Sequence, residues 1–136
     1  MDWKKLDLTW HYIEKWAAET PAAEALVFEE TRLTWADFKA QMDLAAKAFI
    51  EAGVKKGDRV AMLSMARTEF PITYMAANKI GAIWLGLNPK FTLEELRFQL
   101  NDSKPTVLVA VRDFMGNDLS ETIKTLTGEC PSIKKL

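Results

Sequence analysis

The sequence contains very few of the side chains from which metal sites and nucleophilic sites are built. Its only histidine is His11 and its only cysteine is Cys130, so no internal disulfide can form. A single histidine with one distant cysteine supports neither a metal site nor a Cys–His pair. We therefore predict no metal ligands and no catalytic nucleophile of this kind in the chain.

A glycine-rich phosphate loop is also missing. None of the six glycines is spaced as Gly-x-Gly-x-x-Gly, and none precedes a lysine as a nucleotide-binding loop requires. The glycines instead have the positions typical of helix ends and turns. No cofactor is therefore expected to bind the chain through a loop of its own.

Neither strong charge nor long apolar runs are present. The net charge of -1 gives no broad electrostatic field for a nucleic acid or an acidic membrane surface. No run reaches the roughly 18 apolar residues of a membrane span, and the N-terminus lacks the apolar run of a signal peptide. We expect no nucleic-acid partner, no membrane span and a cytoplasmic location.

The remaining candidates for catalysis have structural interpretations. Ser64 follows a predicted strand, but the surrounding LSMAR lacks the Gly-x-Ser-x-Gly turn that exposes a nucleophile, and a hydroxyl bonded to nearby backbone is predicted. Glu94 and Glu95 fall in the first turn of a predicted helix, where negative charge is favourable in itself. Glu29 and Glu30 fall in a predicted hairpin loop. No catalytic residue is assigned.

What the sequence does contain is a regular alternation of strand and helix patterns. A first helix (8–19), whose apolar stripe Trp3 would extend, is followed by a short hairpin (25–35) and a helix that Thr34 caps and Gly53 closes. Strands are then predicted at 60–64, 83–87 and 107–111, with helices at 69–80, 92–102 and 119–126. Such alternation predicts an α/β fold with a mostly parallel sheet, preceded by the N-terminal helix and hairpin.

Two features suggest that this sheet belongs to something larger. The strand at 83–87 is apolar throughout, which is typical of a strand buried on both faces. Residues 133–136 resemble the first residues of another strand, whose backbone would need partners. We expect residues 1–136 to be a partial domain, truncated at its C-terminus. The faces left open would then favour a homodimer through the strand at 107–111 and the terminal segment.

Three segments occur in one order and spacing: LTWADF (33–38), GVKKGDRVAM (53–62) and KIGAIWLGLNPKFTLEEL (79–96). Together they resemble the N-terminal portion of the adenylate-forming (AMP-binding) enzymes, in particular the acyl-CoA synthetases. The resemblance implies a parent enzyme that uses ATP and Mg²⁺ to convert a carboxylic acid, by default a fatty acid, to an acyl-adenylate. The acyl group then passes to coenzyme A.

The resemblance also bears on single residues. Lys90 follows Asn88-Pro89, at a position where family members often carry a basic residue. In some of them that residue lies near the phosphates of coenzyme A, and the resemblance implies the same contact for Lys90. The alternative is that Lys90 is an exposed loop cation. The family's phosphate loop, adenine motif, ribose-binding Asp and catalytic Lys have no counterpart here. The resemblance therefore implies an inactive fragment whose partner is the remainder of its own polypeptide. The competing hypothesis is a standalone α/β interaction or binding module.

Overall fold

The structure, a computed structural model, describes residues 5–136. Trp3 lies outside the described residues. Over these described residues, five helices and seven strands follow one another in this order: α1 (Thr9–Glu19), β1 (Glu24–Phe28), β2 (Thr31–Thr34), α2 (Trp35–Glu51), β3 (Arg59–Leu63), α3 (Glu69–Lys79), β4 (Ile83–Leu87), α4 (Leu93–Ser103), β5 (Val107–Ala110), β6 (Asp113–Phe114), β7 (Asn117–Asp118) and α5 (Ser120–Glu129).

The central sheet is parallel, as the alternating pattern predicts. Its strands lie in the order β4-β3-β5, with Ala61 of β3 opposite Leu85 on one side and Leu108 on the other. β1 and β2 form a separate antiparallel hairpin, and β6 and β7 form another. The prediction of an α/β fold with a parallel sheet is therefore confirmed.

The helices cover the sheet on two faces because successive strand residues point to opposite sides. Val60 of β3 packs with apolar residues of α1, α2 and α3, including Ile13 and Met42. Its neighbours Ala61 and Leu63 pack instead with apolar residues of α4 and α5. The sheet thus separates two hydrophobic clusters, which fix the positions of its strand ends.

Two helices begin with a capping box, as predicted for the helix that Thr34 caps, and a third does not. Thr34 and Thr92 each form a capping box with the acidic residue three positions later, Asp37 and Glu95 respectively. The threonine hydroxyl accepts a hydrogen bond from the amide of that acidic residue. The carboxylate of the acidic residue in turn accepts from the threonine amide. Thr68 does not cap α3. Its backbone is already helical (φ -60°, ψ -34°), and its hydroxyl donates to the Glu69 carboxylate.

β4 is an edge strand of the sheet, and Ile83 is 56% exposed, so this apolar strand is only partly covered by residues 5–136. Two details of the secondary structure differ from the sequence prediction. The β6–β7 hairpin was not predicted, because two-residue strands have no measurable periodicity. Helix α5 ends at Glu129, three residues beyond the predicted end at 126.

Candidate functional site

A cavity of about 250 Å³ opens at the carboxyl ends of β3 and β4. In open α/β sheets this end of the strands is where ligands commonly bind. The cavity is mostly apolar. Its lining comes from the residues after β3, the start of α3 and the end of β4: Ser64, Met65, Ala66, Phe70, Gly86, Leu87 and Asn88.

Ser64 is fixed by the backbone next to it. Its side chain is buried, and its hydroxyl donates to the carbonyl oxygen of Met65 at 2.9 Å. This confirms the prediction of a hydroxyl bonded to nearby backbone. His11 is elsewhere, on α1, where its ring packs edge-on against Trp10 at a centroid distance of 4.1 Å. The two residues do not form a nucleophile–base pair.

The turn after β4 places Lys90 at the rim of this end of the sheet. The Asn88 side-chain oxygen accepts from the Lys90 amide at 2.9 Å, and the Asn88 carbonyl accepts from the Phe91 amide at 3.0 Å. Such an Asx-type turn is a common use of asparagine. Pro89 is buried while Lys90 is exposed, so the turn directs a single cation into solvent.

An aromatic cluster adjoins the cavity, and sequence reasoning missed it. Trp84 makes edge-to-face contacts with Phe70 and Tyr74, with ring centroids 4.5 Å and 5.6 Å apart. The Trp84 indole N–H donates to the Thr73 hydroxyl at 3.2 Å. The available signal was the four-residue spacing of Phe70 and Tyr74, which puts both on one face of a helix.

The other candidates from the sequence lie apart from the cavity. The Glu95 carboxylate accepts from the amide and hydroxyl of Thr92, and these hydrogen bonds lower its pKa. Cys130 is buried beside α5 among the apolar residues of the second cluster, and this burial raises the pKa of its thiol. Neither residue is arranged for catalysis.

The chain does not fit ATP and Mg²⁺ by itself. Among residues 5–136, no group of three or more His, Cys, Asp or Glu side chains could hold a metal ion. Lys90 offers one exposed cation to an anionic group, without a second positive partner in the turn. Over the same residues, no helix is long and apolar enough to cross a membrane.

A family model described as AMP-binding enzyme matches residues 13–135. The chain belongs to the AMP-binding enzyme family. The match begins within α1 and continues beyond α5, so it includes the strand ends around the cavity. It confirms the resemblance carried by the three sequence segments.

Two relatives show how much of an AMP-binding enzyme this chain represents. The mitochondrial medium-chain acyl-CoA ligase ACSF2 of Danio rerio is 30% identical over 116 residues, which cover 84% of this chain and 19% of the relative. Surfactin synthase subunit 2 of Bacillus subtilis is 29% identical over 114 residues, covering 84% of this chain and 3% of the relative. The chain thus spans less than a fifth of either.

The fold agrees with solved members of the family. A candidate long-chain-fatty-acid CoA ligase from Rhodopseudomonas palustris superposes with a TM-score of 0.85 at 28% identity. The superposition covers 95% of this chain and 32% of that chain. The parallel sheet with helices on both faces therefore matches the N-terminal part of acyl-CoA ligase folds.

Proposed function

We propose that this chain is the N-terminal part of an ATP-dependent acyl-CoA synthetase. The parent enzyme activates a carboxylic acid as an acyl-adenylate with release of pyrophosphate, and then transfers the acyl group to coenzyme A. The observation that carries the proposal is the family match over residues 13–135, joined to the likeness to acyl-CoA ligases in sequence and fold. ATP supplies the adenylyl group, with Mg²⁺ as its counterion.

Within this proposal, residues 1–136 serve as scaffold. The described residues include no metal-binding cluster, and the sequence has no phosphate loop. We expect the isolated chain to be inactive for this reason. Acid-dependent ATP–pyrophosphate exchange should be measured for both the isolated chain and the full-length protein with a panel of fatty and aryl acids. Exchange by the isolated chain would contradict the scaffold role, and its absence from the full-length protein would contradict the proposed function.

The proposal also specifies coenzyme A as the acceptor of the acyl group and a fatty acid as the carboxylic acid substrate. The relatives' names include a medium-chain acyl-CoA ligase and a surfactin synthase subunit, so transfer to coenzyme A is supported by the ligases alone. Formation of an acyl-CoA thioester from a medium-chain fatty acid is the direct test.

The cytoplasm is the proposed location. Since the Danio rerio relative is mitochondrial, fractionation of cells that express the full-length protein would decide between the two compartments.

We propose that Lys90 contacts coenzyme A. The effect of replacing it should be measured in the full-length enzyme. Lys90→Ala should raise the KM for coenzyme A roughly ten- to a hundredfold, because a charge-assisted hydrogen bond contributes about 1.5–3 kcal/mol. Pyrophosphate exchange should be unchanged.

Lys55→Ala is the matched control for Lys90, because Lys55 is also an exposed loop lysine but precedes β3, at the opposite end of the strands. An unchanged KM for coenzyme A in the Lys90 variant at low salt would return this residue to the role of an exposed loop cation.

A further inference from the structure

Asn88 lies where the end of β4, the strand-end cavity and the turn that carries Lys90 meet. The residue is half-buried and supplies one of the two polar side chains that line the cavity, the other being Ser64. The preceding residue is tied to the sheet, because the Leu87 carbonyl accepts from the Ser64 amide at 3.4 Å. Asn88 is therefore anchored to the sheet on one side and begins the turn on the other.

Two oxygen atoms of Asn88 hold the next amides of the turn. The side-chain oxygen accepts from the Lys90 amide at 2.9 Å, and the backbone carbonyl accepts from the Phe91 amide at 3.0 Å. Pro89, between them, has a fixed φ and confines Asn88 to an extended backbone. The capping box of α4 follows directly. Of the bonds that Asn88 makes, only the one to Lys90 depends on its side chain, so a substitution can remove that bond alone.

The side chain of Lys90 has no comparable constraint. The residue is exposed, and within the part of the chain that the structure describes its ammonium has no hydrogen-bond or ion-pair partner. A lysine ammonium is a point charge on a flexible stem, so the region that it can reach is set by its backbone. Immobilising such a side chain on binding costs free energy. The cost is larger when the backbone that carries it is also mobile.

We propose that Asn88 is a positioning residue for the coenzyme A contact of Lys90. Its side-chain oxygen holds the Lys90 amide in the turn, so the ammonium is presented at the rim of the strand ends before coenzyme A binds. Asn88 acts through Lys90 and does not itself bind the ligand. The inference rests on the proposed function, from which it takes the role of Lys90, and it adds the side chain that links this role to the sheet.

The kinetic test is Asn88→Ala in the full-length enzyme. The KM for coenzyme A should rise roughly three- to tenfold, the effect of losing one hydrogen bond between uncharged groups, while kcat and pyrophosphate exchange stay unchanged. Asn88→Ser keeps a shorter acceptor that bonds the same amide more weakly, so it should recover part of the loss. Asn78→Ala is the matched control. Its side chain also bonds local backbone, donating to the Tyr74 carbonyl at 2.7 Å, but it lies near the end of α3, before β4 begins.

A double variant separates positioning from a direct role. If Asn88 acts only through Lys90, Asn88→Ala should not raise the KM further once Lys90 is replaced by alanine, because residues that act as one unit are not additive. An equal increase with and without Lys90 would overturn the proposal. So would an unchanged KM in either single variant. Absence of pyrophosphate exchange from the unsubstituted full-length protein would count instead against the proposed function.

Amide hydrogen exchange tests the same hydrogen bond without coenzyme A. In Asn88→Ala the Lys90 amide should exchange roughly tenfold faster than in the wild type, because it has lost its acceptor. The Phe91 amide keeps its backbone acceptor and is the internal control. Equal exchange of the Lys90 amide in the two proteins would contradict the positioning role. Faster exchange of both amides would also contradict it, because Asn88 would then stabilise the whole turn and not the position of Lys90.

Discussion

Gly86 is the residue of β4 on which the placement of Trp84 depends. Residues two apart on a strand share one face, so the Trp84 ring extends over the backbone of Gly86. A Cβ added at Gly86 would lie 2.9 Å from Cη2 of Trp84 and 3.0 Å from its Cζ3, with Phe70 next at 3.6 Å. The glycine therefore gives the indole its place between β4 and the aromatic side chains of α3.

Gly86→Ala should destabilise the protein by about 1–3 kcal/mol, because the Trp84 ring must leave its contacts with Phe70 and Tyr74. Gly128→Ala is the matched control, since a Cβ there meets no atom within 4 Å and the position is helical. It should stabilise by about 0.5 kcal/mol. Chemical denaturation followed by tryptophan fluorescence measures both. A Gly86 variant as stable as the wild type would show that the indole can shift without loss.

The sequence could not reveal the role of Gly86. Its glycines were interpreted as helix ends and turns, and this is correct for Gly53, which has φ +87° two residues after the end of α2. The backbone of Gly86 does not have a positive φ. A glycine is needed there because the bulky side chain of Trp84 leaves no room for a Cβ. A steric requirement of this kind depends on which rotamer the neighbour adopts, and that is decided by α3 packing against β4.

Helix α4 shows which parts of an element the sequence can specify. Its start follows from Thr92 and Glu95, because a capping box uses residues three positions apart. Its end depends on a distant residue: the Arg59 guanidinium donates to the carbonyls of Ser103 and Lys104 at 2.6 Å and 3.0 Å. The chain reverses there through Lys104, whose backbone is left-handed (φ 51°, ψ 60°).

Lys104→Gly should stabilise the protein by about 1 kcal/mol, because a left-handed backbone is unfavourable for a residue with a Cβ. Lys104→Ala is the control: it removes the same exposed side chain but keeps the Cβ, and it should leave stability nearly unchanged. Thermal melts of the three proteins at one pH provide the comparison. Equal stabilisation by both substitutions would mean that the lysine charge, and not the backbone, is responsible.

At the scale of the whole molecule, one ion cluster joins the three helices on one face of the sheet. The Lys79 ammonium of α3 donates to Glu14 of α1 at 2.8 Å and to Asp43 of α2 at 2.7 Å. It also lies 4.8 Å from the ring centroid of Trp10. These partners are 65 and 36 residues away in sequence, so local patterns predict the helices but not the contacts that assemble them.

The same limit applies to the edges of the sheet. Periodicity gave the three strands of the parallel sheet and their direction, because each strand is followed by a helix of crossover length. The strand order β4-β3-β5, which makes β4 an edge and opens a groove beside β5, depends on which crossover packs on which face. The position of Lys90 on a turn, by contrast, was predicted correctly. It depends only on the adjacent Asn-Pro pair, which specifies a turn locally.

The ion cluster predicts how stability depends on acid. Burial alone would raise the pKa of Asp43, but hydrogen bonds and charge attraction from Lys39 and Lys79 outweigh it and lower this pKa below its ordinary value. A carboxyl with a lowered pKa in the folded state binds protons more readily when unfolded. Its contribution is therefore present above the ordinary carboxyl range and is lost as pH falls through the lowered value. The pKa of Glu69 shifts in the same direction: burial alone would raise it, but a backbone hydrogen bond and the charge of Arg67 outweigh this and lower it.

The unfolding free energy should stay nearly constant from pH 7 to about pH 5 and then fall, most steeply below about pH 4. Asp43→Asn should be less stable than the wild type at pH 7, because Lys79 and Lys39 lose a charged partner. The two curves should converge as the pH falls through the lowered pKa of Asp43, because the wild-type carboxyl then becomes neutral as well. Urea titrations at closely spaced pH values measure both curves. Curves that stay parallel throughout the acid unfolding range would show that Asp43 does not contribute through its charge.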